Sequence, residues 1–319
     1  MLLSSTAENL FWMARYVERA ENVARILDVA FRMGLLPSAE AEAARAWAAP
    51  LEIAGDPAGF AKRYRKAEAE NVIAHLALDE EHPSSIRSAI RRARENARAV
   101  RGVLTSESWE SLNATWLALE PIKSVRDIEK RGFREFFDWV KERSHLFRGV
   151  TDGTMIQDES YAFVRLGVFL ERADNTARLL GVKYRETRPK RGAEDDRAYN
   201  YYEWGAILRS VSAFKTYRRI YRDEITPRRV AELLVLRQDM PRSLHACFNR
   251  IAEILEEIGR GKECARMAGA IHAGLHYETI DALLKRGLDD YLRDFVRRSG
   301  DLGRQIAEDF LMVPSVGKQ

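Results

Sequence analysis

The octapeptide ERAENVAR, residues 18 to 25, returns as ERADNTAR at residues 171 to 178. On a helix, with about 100° between successive residues, Glu18, Glu21, Asn22 and Arg25 fall within about 60° of one line. Glu171, Asp174, Asn175 and Arg178 do the same in the second copy, and Arg19 and Arg172 stand beside the two leading glutamates. Carboxylates at this spacing can hold an amine or a cation, and arginines can hold a carboxylate or a phosphate. Around a cavity, these residues would form a ligand site. Packed face to face, they would instead satisfy one another and fix the register of two helices. The apolar residues above and below the stripe, Phe11, Ala14 and Val29 in one copy and Val164, Gly167 and Val182 in the other, predict that it is internal.

A second line of charge runs along residues 84 to 101. Arg87, Arg91, Arg94, Arg98 and Arg101 lie within about 40° of one helical line. Five arginines without a lysine suit planar, multidentate recognition of an anion, although a solvated face paired with neighbouring acids has the same composition. The aligned positions of the second copy, His245, Asn249, Ala252, Glu256 and Gly259, carry no such line.

Other chemistries lack parts. A di-iron site needs Glu-x-x-His on two helices, and the third position after each glutamate is Glu21 or Asp174. His272 and His276 have the spacing of metal ligands on a helix, but HAGLH lacks the glutamate of a zinc protease and no third ligand is identifiable from sequence. The GRGK stretch at 259 to 262 is not a phosphate loop, and no nucleophile elbow or dinucleotide fingerprint is present. Cys247 and Cys264 have neither disulfide nor zinc spacing and read as core thiols. No metal site and no cofactor are expected; a carboxylate-held Mg²⁺ is the weaker alternative.

The elements that must position these residues are helices. Apolar residues recur every three or four positions, as in Leu10, Met13, Val17, Ala20 and Ala24, and alternating β-type runs with tight turns are missing. Pro83-Ser84-Ser85, Pro227 and Pro241 read as helix starts, and Gly34 and Gly181 as the ends of the two motif helices. Further pairs line up collinearly with the repeat: Trp47 with Trp204, Leu51 with Leu208, Pro83 with Pro241 and Ser85 with Ser243. The expected fold is therefore an all-α helical bundle of two duplicated halves, 1–150 and 151–319, packed as one compact domain about a pseudo-twofold axis. A Gly-containing turn in TDGTMIQDES should join them, and the charged stretch 185–199 should be an exposed loop.

At 319 residues and 46% hydrophobic content the chain can build a substantial core. Its 52 basic and 48 acidic residues are interleaved, so a net charge of +4 does not call for nucleic acid. With no stretch resembling a signal peptide or a membrane span, the expected compartment is the cytoplasm, with no membrane partner.

The chain resembles the bacterial alpha-E family over nearly its full length. The resemblance is carried by TAENLFWMARYVERAENVARILDV, PSSIRSAIRRARENARAVR, ESWESLN, DGTM, LGVFLERADNTARLLGVKY, YRRIY and MPRS, in that order. One departure is Val168, where Arg15 stands in the first copy. The resemblance implies an all-helical protein encoded beside, or fused to, a circularly permuted ATP-grasp protein, and beside a transglutaminase-like peptidase. By that association it implies service to a peptide-ligating or peptide-tagging system. The leading expectation is thus a partner of an ATP-grasp amide ligase that presents a Glu/Arg-lined site to a peptide or amino acid. An enzyme using Glu18 or Glu171 as general base in acyl transfer is the alternative. An anion, nucleic-acid or phosphorylated-carrier binder acting through the Arg87–Arg101 line is the third.

Overall fold

The computed structural model describes residues 2–35, 40–186 and 197–311, and every regular element among them is helical. The first series is α1 (Ser4–Gly34), α2 (Glu40–Ala54), α3 (Pro57–Ala61), α4 (Ala69–Ile73), α5 (Ile86–Ala99), α6 (Ser106–Leu119), α7 (Val125–Arg131) and α8 (Phe133–Thr154). The second is α9 (Glu159–Glu186), α10 (Arg197–Ser210), α11 (Phe214–Tyr221), α12 (Pro227–Ala231), α13 (Leu244–Ile258), α14 (Glu263–His276), α15 (Ile280–Arg286) and α16 (Leu288–Phe310). A π-helical turn follows α4 (Ala74–Leu78), and another follows α12 (Glu232–Leu236).

Local chemistry sets the matching boundaries. Ser85 caps α5 by accepting from the Ser88 amide, and Ser243 caps α13 by accepting from the Ala246 amide. Each hydroxyl also donates back across its turn, Ser85 to the Asp79 carbonyl and Ser243 to that of Arg237. Thr226 caps α12, with Pro227 in its first turn. Gly132 and Gly287 open α8 and α16 at φ of +94° and +100°, a backbone region that favours glycine.

One expected boundary is displaced, and the expected join falls within TDGTMIQDES but without its glycine. Gly181 does not end its helix, because α9 runs on to Glu186 with Gly181 packed against Leu292. Gly153 lies inside α8, and the join is the four residues Met155 to Asp158. The charged stretch expected as a loop falls largely at 187–196, outside the described residues.

α1 and α9 form the centre. α1 packs on α9, α5, α8 and α2, and α9 packs on α1, α13, α16 and α10. The short α2 also reaches α9, and α10 reaches α1. Gly167 of α9 faces the backbone of α1 so closely that a Cβ there would stand 2.4 Å from the Phe11 carbonyl oxygen. Around this contact the core is continuous through Phe11, Phe163, Trp204, Phe248 and Phe295, while Leu27, Phe136 and Phe137 anchor a second cluster among α1, α2, α5 and α8. Both cysteines are buried, and desolvation pushes each thiol up to about 12, as core thiols require.

Candidate functional site

Where α1 and α9 meet, the carboxylates at the centre of the polar stripe are withdrawn from solvent. Glu18 and Glu21 are 0% exposed and Glu171 is 6% exposed. A carboxylate so placed is held only if its lone pairs are filled by charge, and here the partners come crosswise. Arg172 of α9 donates Nε and Nη2 to Glu18 at 3.1 and 2.9 Å, and Arg19 of α1 donates Nε and Nη2 to Glu171 at 2.6 and 2.9 Å. The Glu-Arg dipeptide of each helix thus grips that of the other, both times through the two-toothed guanidinium fork.

The remaining partners differ between the two ends. Glu171 takes a second guanidinium from Arg15 at 2.8 Å. Val168, at the position matching Arg15, can offer Glu18 nothing equivalent. Glu18 is instead completed by Arg148 of α8 at 2.8 Å and by Arg242, from the turn before α13, at 2.9 Å. Arg242 also bonds Glu21 at 2.6 Å and the Asn22 side-chain carbonyl at 3.1 Å. Arg25, Ser144, Arg148 and, at 3.4 Å, His145 complete the shell of Glu21.

Burial pushes all three carboxyls upward, and the guanidinia overcome it. Arg172, Arg242 and Arg148 hold Glu18 below the ordinary range. Arg242, with His145, Arg148 and Arg25, holds Glu21 well below it. Arg19 and Arg15 bring Glu171 to about 2. Burial dominates at Arg242 and lowers its pKa, but a guanidinium keeps its proton throughout the ordinary pH range.

The structure brings Glu18, Arg19, Glu21, Asn22, Arg25, Glu171 and Arg172 into this one lattice. Asp174 and Arg178 pair with each other at 2.7 Å on a half-buried face midway along α9, beside Asn175, and are not bonded into the lattice. Spacing did not single out Arg148 or Arg242. The only signals for them were the MPRS stretch holding Arg242 and an Arg on the helix that precedes the second copy.

The five-arginine line is divided by its packing against α6. Arg87 is buried; it donates to the carbonyls of Leu119, Glu120 and Ile122 at the end of α6 and pairs with Glu80. Arg91 shares Glu80. Arg94 bonds Asn113 at 2.8 Å and, like Arg101, lies over Trp109. Arg98 faces solvent.

Beside the lattice, α8 and α9 enclose a small pocket of about 140 Å³. Arg148 and Arg172 reach it from the ion network, Arg165 lies at its edge over Phe169, and Phe147, Val164 and Val168 form apolar wall. Among the described residues, Asp152 is the one acid lining it.

A helical protein centred on two crossed Glu-Arg pairs is the class these observations define. The chain belongs to the Alpha-E family, whose model, described as a predicted alpha-helical domain with a conserved ER motif, matches residues 2–311. No curated protein and no solved structure matches it. No helix among the described residues is long and apolar enough to cross a membrane.

Proposed function

We propose that the protein is a non-catalytic partner of an amide-forming ATP-grasp enzyme, presenting the α8/α9 pocket to the anionic end of a peptide or amino acid. One observation carries the ligand class. Six guanidinia, from Arg15, Arg19, Arg25, Arg148, Arg172 and Arg242, surround only three carboxylates, those of Glu18, Glu21 and Glu171. So dense a positive charge in a largely desolvated place is relieved when an anion shares it, and Arg148 and Arg172 are the members that open onto a pocket. Its apolar wall suits a side chain, and its size suits one residue rather than a nucleotide.

The same lattice argues against the acyl-transfer reading. Glu171 at about 2, bonded by two guanidinia, is a weak base, and Glu18 is fully enclosed. The Arg87–Arg101 line is weaker as an anion site because Arg87 is committed to the carbonyls at the end of α6. The partnership itself rests on the family resemblance. We also read the common element order, the paired caps and the crossed Glu-Arg grip as the product of one helical unit duplicated, with halves near 1–150 and 151–319.

The test uses Arg165→Gln. Arg165 contacts Asp152 and Tyr161 at the surface, so its loss should leave the fold intact. Short peptides with a free C-terminal carboxylate should bind the parent and bind the variant several-fold more weakly, while amidated peptides bind neither. Equal binding of free and amidated peptides would overturn the ligand class. ATP-dependent amide formation by a co-purified ATP-grasp protein should rise on adding this chain; no co-purification and no effect would overturn the partnership.

A further inference from the structure

Tertiary packing completes the HAGLH pair of α14. His245, in the first turn of α13, lies against His272 and His276, with ring centroids 5.5 and 5.7 Å away, and the α14 pair is separated by 6.1 Å. The ring nitrogens that could act as ligands all lie within 4.8 Å of one another. With metal–nitrogen bonds of about 2.0–2.1 Å, three imidazoles arranged tetrahedrally around one ion stand with their centres about 5 Å apart, close to what is seen.

Two further observations point to a ligand here. The first is an orphaned nitrogen. His245 is 3% exposed, and its Nδ1 sits 2.9 Å from the Leu236 carbonyl oxygen, which accepts the ring N–H. Nε2 is left as the lone-pair nitrogen, buried and without a hydrogen-bond partner among the described residues. A backbone carbonyl fixing one ring nitrogen while the other carries a free lone pair is the arrangement of metal-binding histidines. The second is ring orientation. A metal lies near the plane of each imidazole it binds, and the three rings are inclined to one another at 62°, 84° and 47°, so their planes can meet at a point.

The other histidine cluster, Asp56, His75 and His82, fails that criterion. His75 and His82 are stacked at 4.5 Å and only 19° apart, so their near-parallel planes share no nearby point.

We propose that His245, His272 and His276 bind one divalent transition-metal ion of the zinc class, with a fourth position open to water. His276 is exposed and His272 half-buried, so solvent reaches that position. The ion would tie α14 to the start of α13. Arg242, which enters the Glu18–Glu21 lattice, lies three residues before His245.

The experiment titrates the full chain, freed of any affinity tag and stripped with EDTA, with Zn²⁺ by calorimetry and with Co²⁺ by visible absorption. The parent should bind one equivalent, develop the intense absorption bands of four-coordinate Co²⁺, and melt at a higher temperature with Zn²⁺. The double variant His272→Ala/His276→Ala changes only exposed and half-buried side chains. It should fold as the metal-free parent does by circular dichroism, yet bind at least about a hundredfold more weakly and show no thermal shift. His75→Ala should retain the parent's affinity. Absence of binding by the parent at about 100 µM Zn²⁺, or undiminished binding by the folded double variant, would overturn the proposal. Should the double variant fail to fold, His276→Gln alone must still lose the four-coordinate Co²⁺ spectrum, and its retention would sink the site.

Discussion

Arg19 of α1 and Glu171 of α9, 152 positions apart in the chain, form a two-toothed ion pair at 2.6 and 2.9 Å, with the carboxylate 6% exposed. Its counterpart, Arg172 on Glu18, runs in the opposite sense between the same two helices. Removing one carboxylate leaves guanidinia buried without a counter-charge. Glu171→Ala, which strands both Arg15 and Arg19, should lower unfolding stability by about 3 to 5 kcal/mol. Glu18→Ala, which strands part of Arg148, Arg172 and Arg242, should cost at least as much. Urea titration at pH 7 measures both, and parent-like midpoints would show that the lattice contributes nothing to the fold.

The crossed grip depends on how closely α1 and α9 approach at Gly167. A methyl group there would meet the Phe11 carbonyl oxygen at 2.4 Å and the Ala14 side chain at 3.2 Å. Backbone cannot yield as a flexible side chain does, so Gly167→Ala should force the helices apart and destabilise by roughly 1 to 3 kcal/mol. Gly149→Ala, whose Cβ would meet nothing within 4 Å, serves as the control and should be neutral or slightly stabilising. Equal stability of the two variants would contradict the close contact.

Acid should lower the protein's stability over two pH ranges. His82 is held at about 4 against an ordinary 6.5, by burial and then by His75, while Asp56 and Asp79 pull it upward and Arg19 adds a little to the lowering. Its folded state favours the neutral ring, so its contribution is full above pH 6.5 and is lost as the pH falls from 6.5 toward 4. Glu171, lowered from 4.5 to about 2, contributes fully above pH 4.5 and loses its share, about 3 kcal/mol, between 4.5 and 2. Glu18 and Glu21 act in the same direction. Urea midpoints followed from pH 7 to pH 3 should fall in both ranges. His82→Asn should flatten the upper part and Glu171→Gln the lower, and unchanged slopes would refute these assignments.

The arginine line should divide by position. Arg87 donates to the Ile122 carbonyl at 3.0 Å and to those of Leu119 and Glu120 at 3.4 Å, so Arg87→Gln unsatisfies the end of α6 and should cost about 1 to 3 kcal/mol. Arg98→Gln alters an exposed side chain and should cost under about 0.5 kcal/mol. Thermal melts compare them directly, and equal losses would mean that the line acts as a unit.

Much of this arrangement was legible in the residues alone. Apolar spacing dictates helices throughout, Pro83-Ser84-Ser85, Pro227 and Pro241 mark helix starts, and the apolar flanks Phe11, Ala14, Val164 and Gly167 imply that the charges between them are buried. These signals are local: a turn of helix or a cap is decided by a few consecutive side chains and reads the same wherever the helix is packed. At Gly181 a local signal is overridden: α9 runs on to Glu186 past a residue that locally favours an ending, with Leu292 of α16 beside it.

Which cation meets which anion is not local. Arg148 and Arg242 look like many other arginines in the chain, and only the placement of α8 and of the turn before α13 against α1 brings them to Glu18 and Glu21. His245 joins His272 and His276 only because α13 packs on α14. Periodicity and capping act over a few residues, so the residues alone fix the helices and the burial of Glu18, Glu21 and Glu171. The tertiary structure alone decided the partners, because an ion pair or a metal site depends on ångström distances between segments far apart in the chain, and those distances are set by how closely the helices cross.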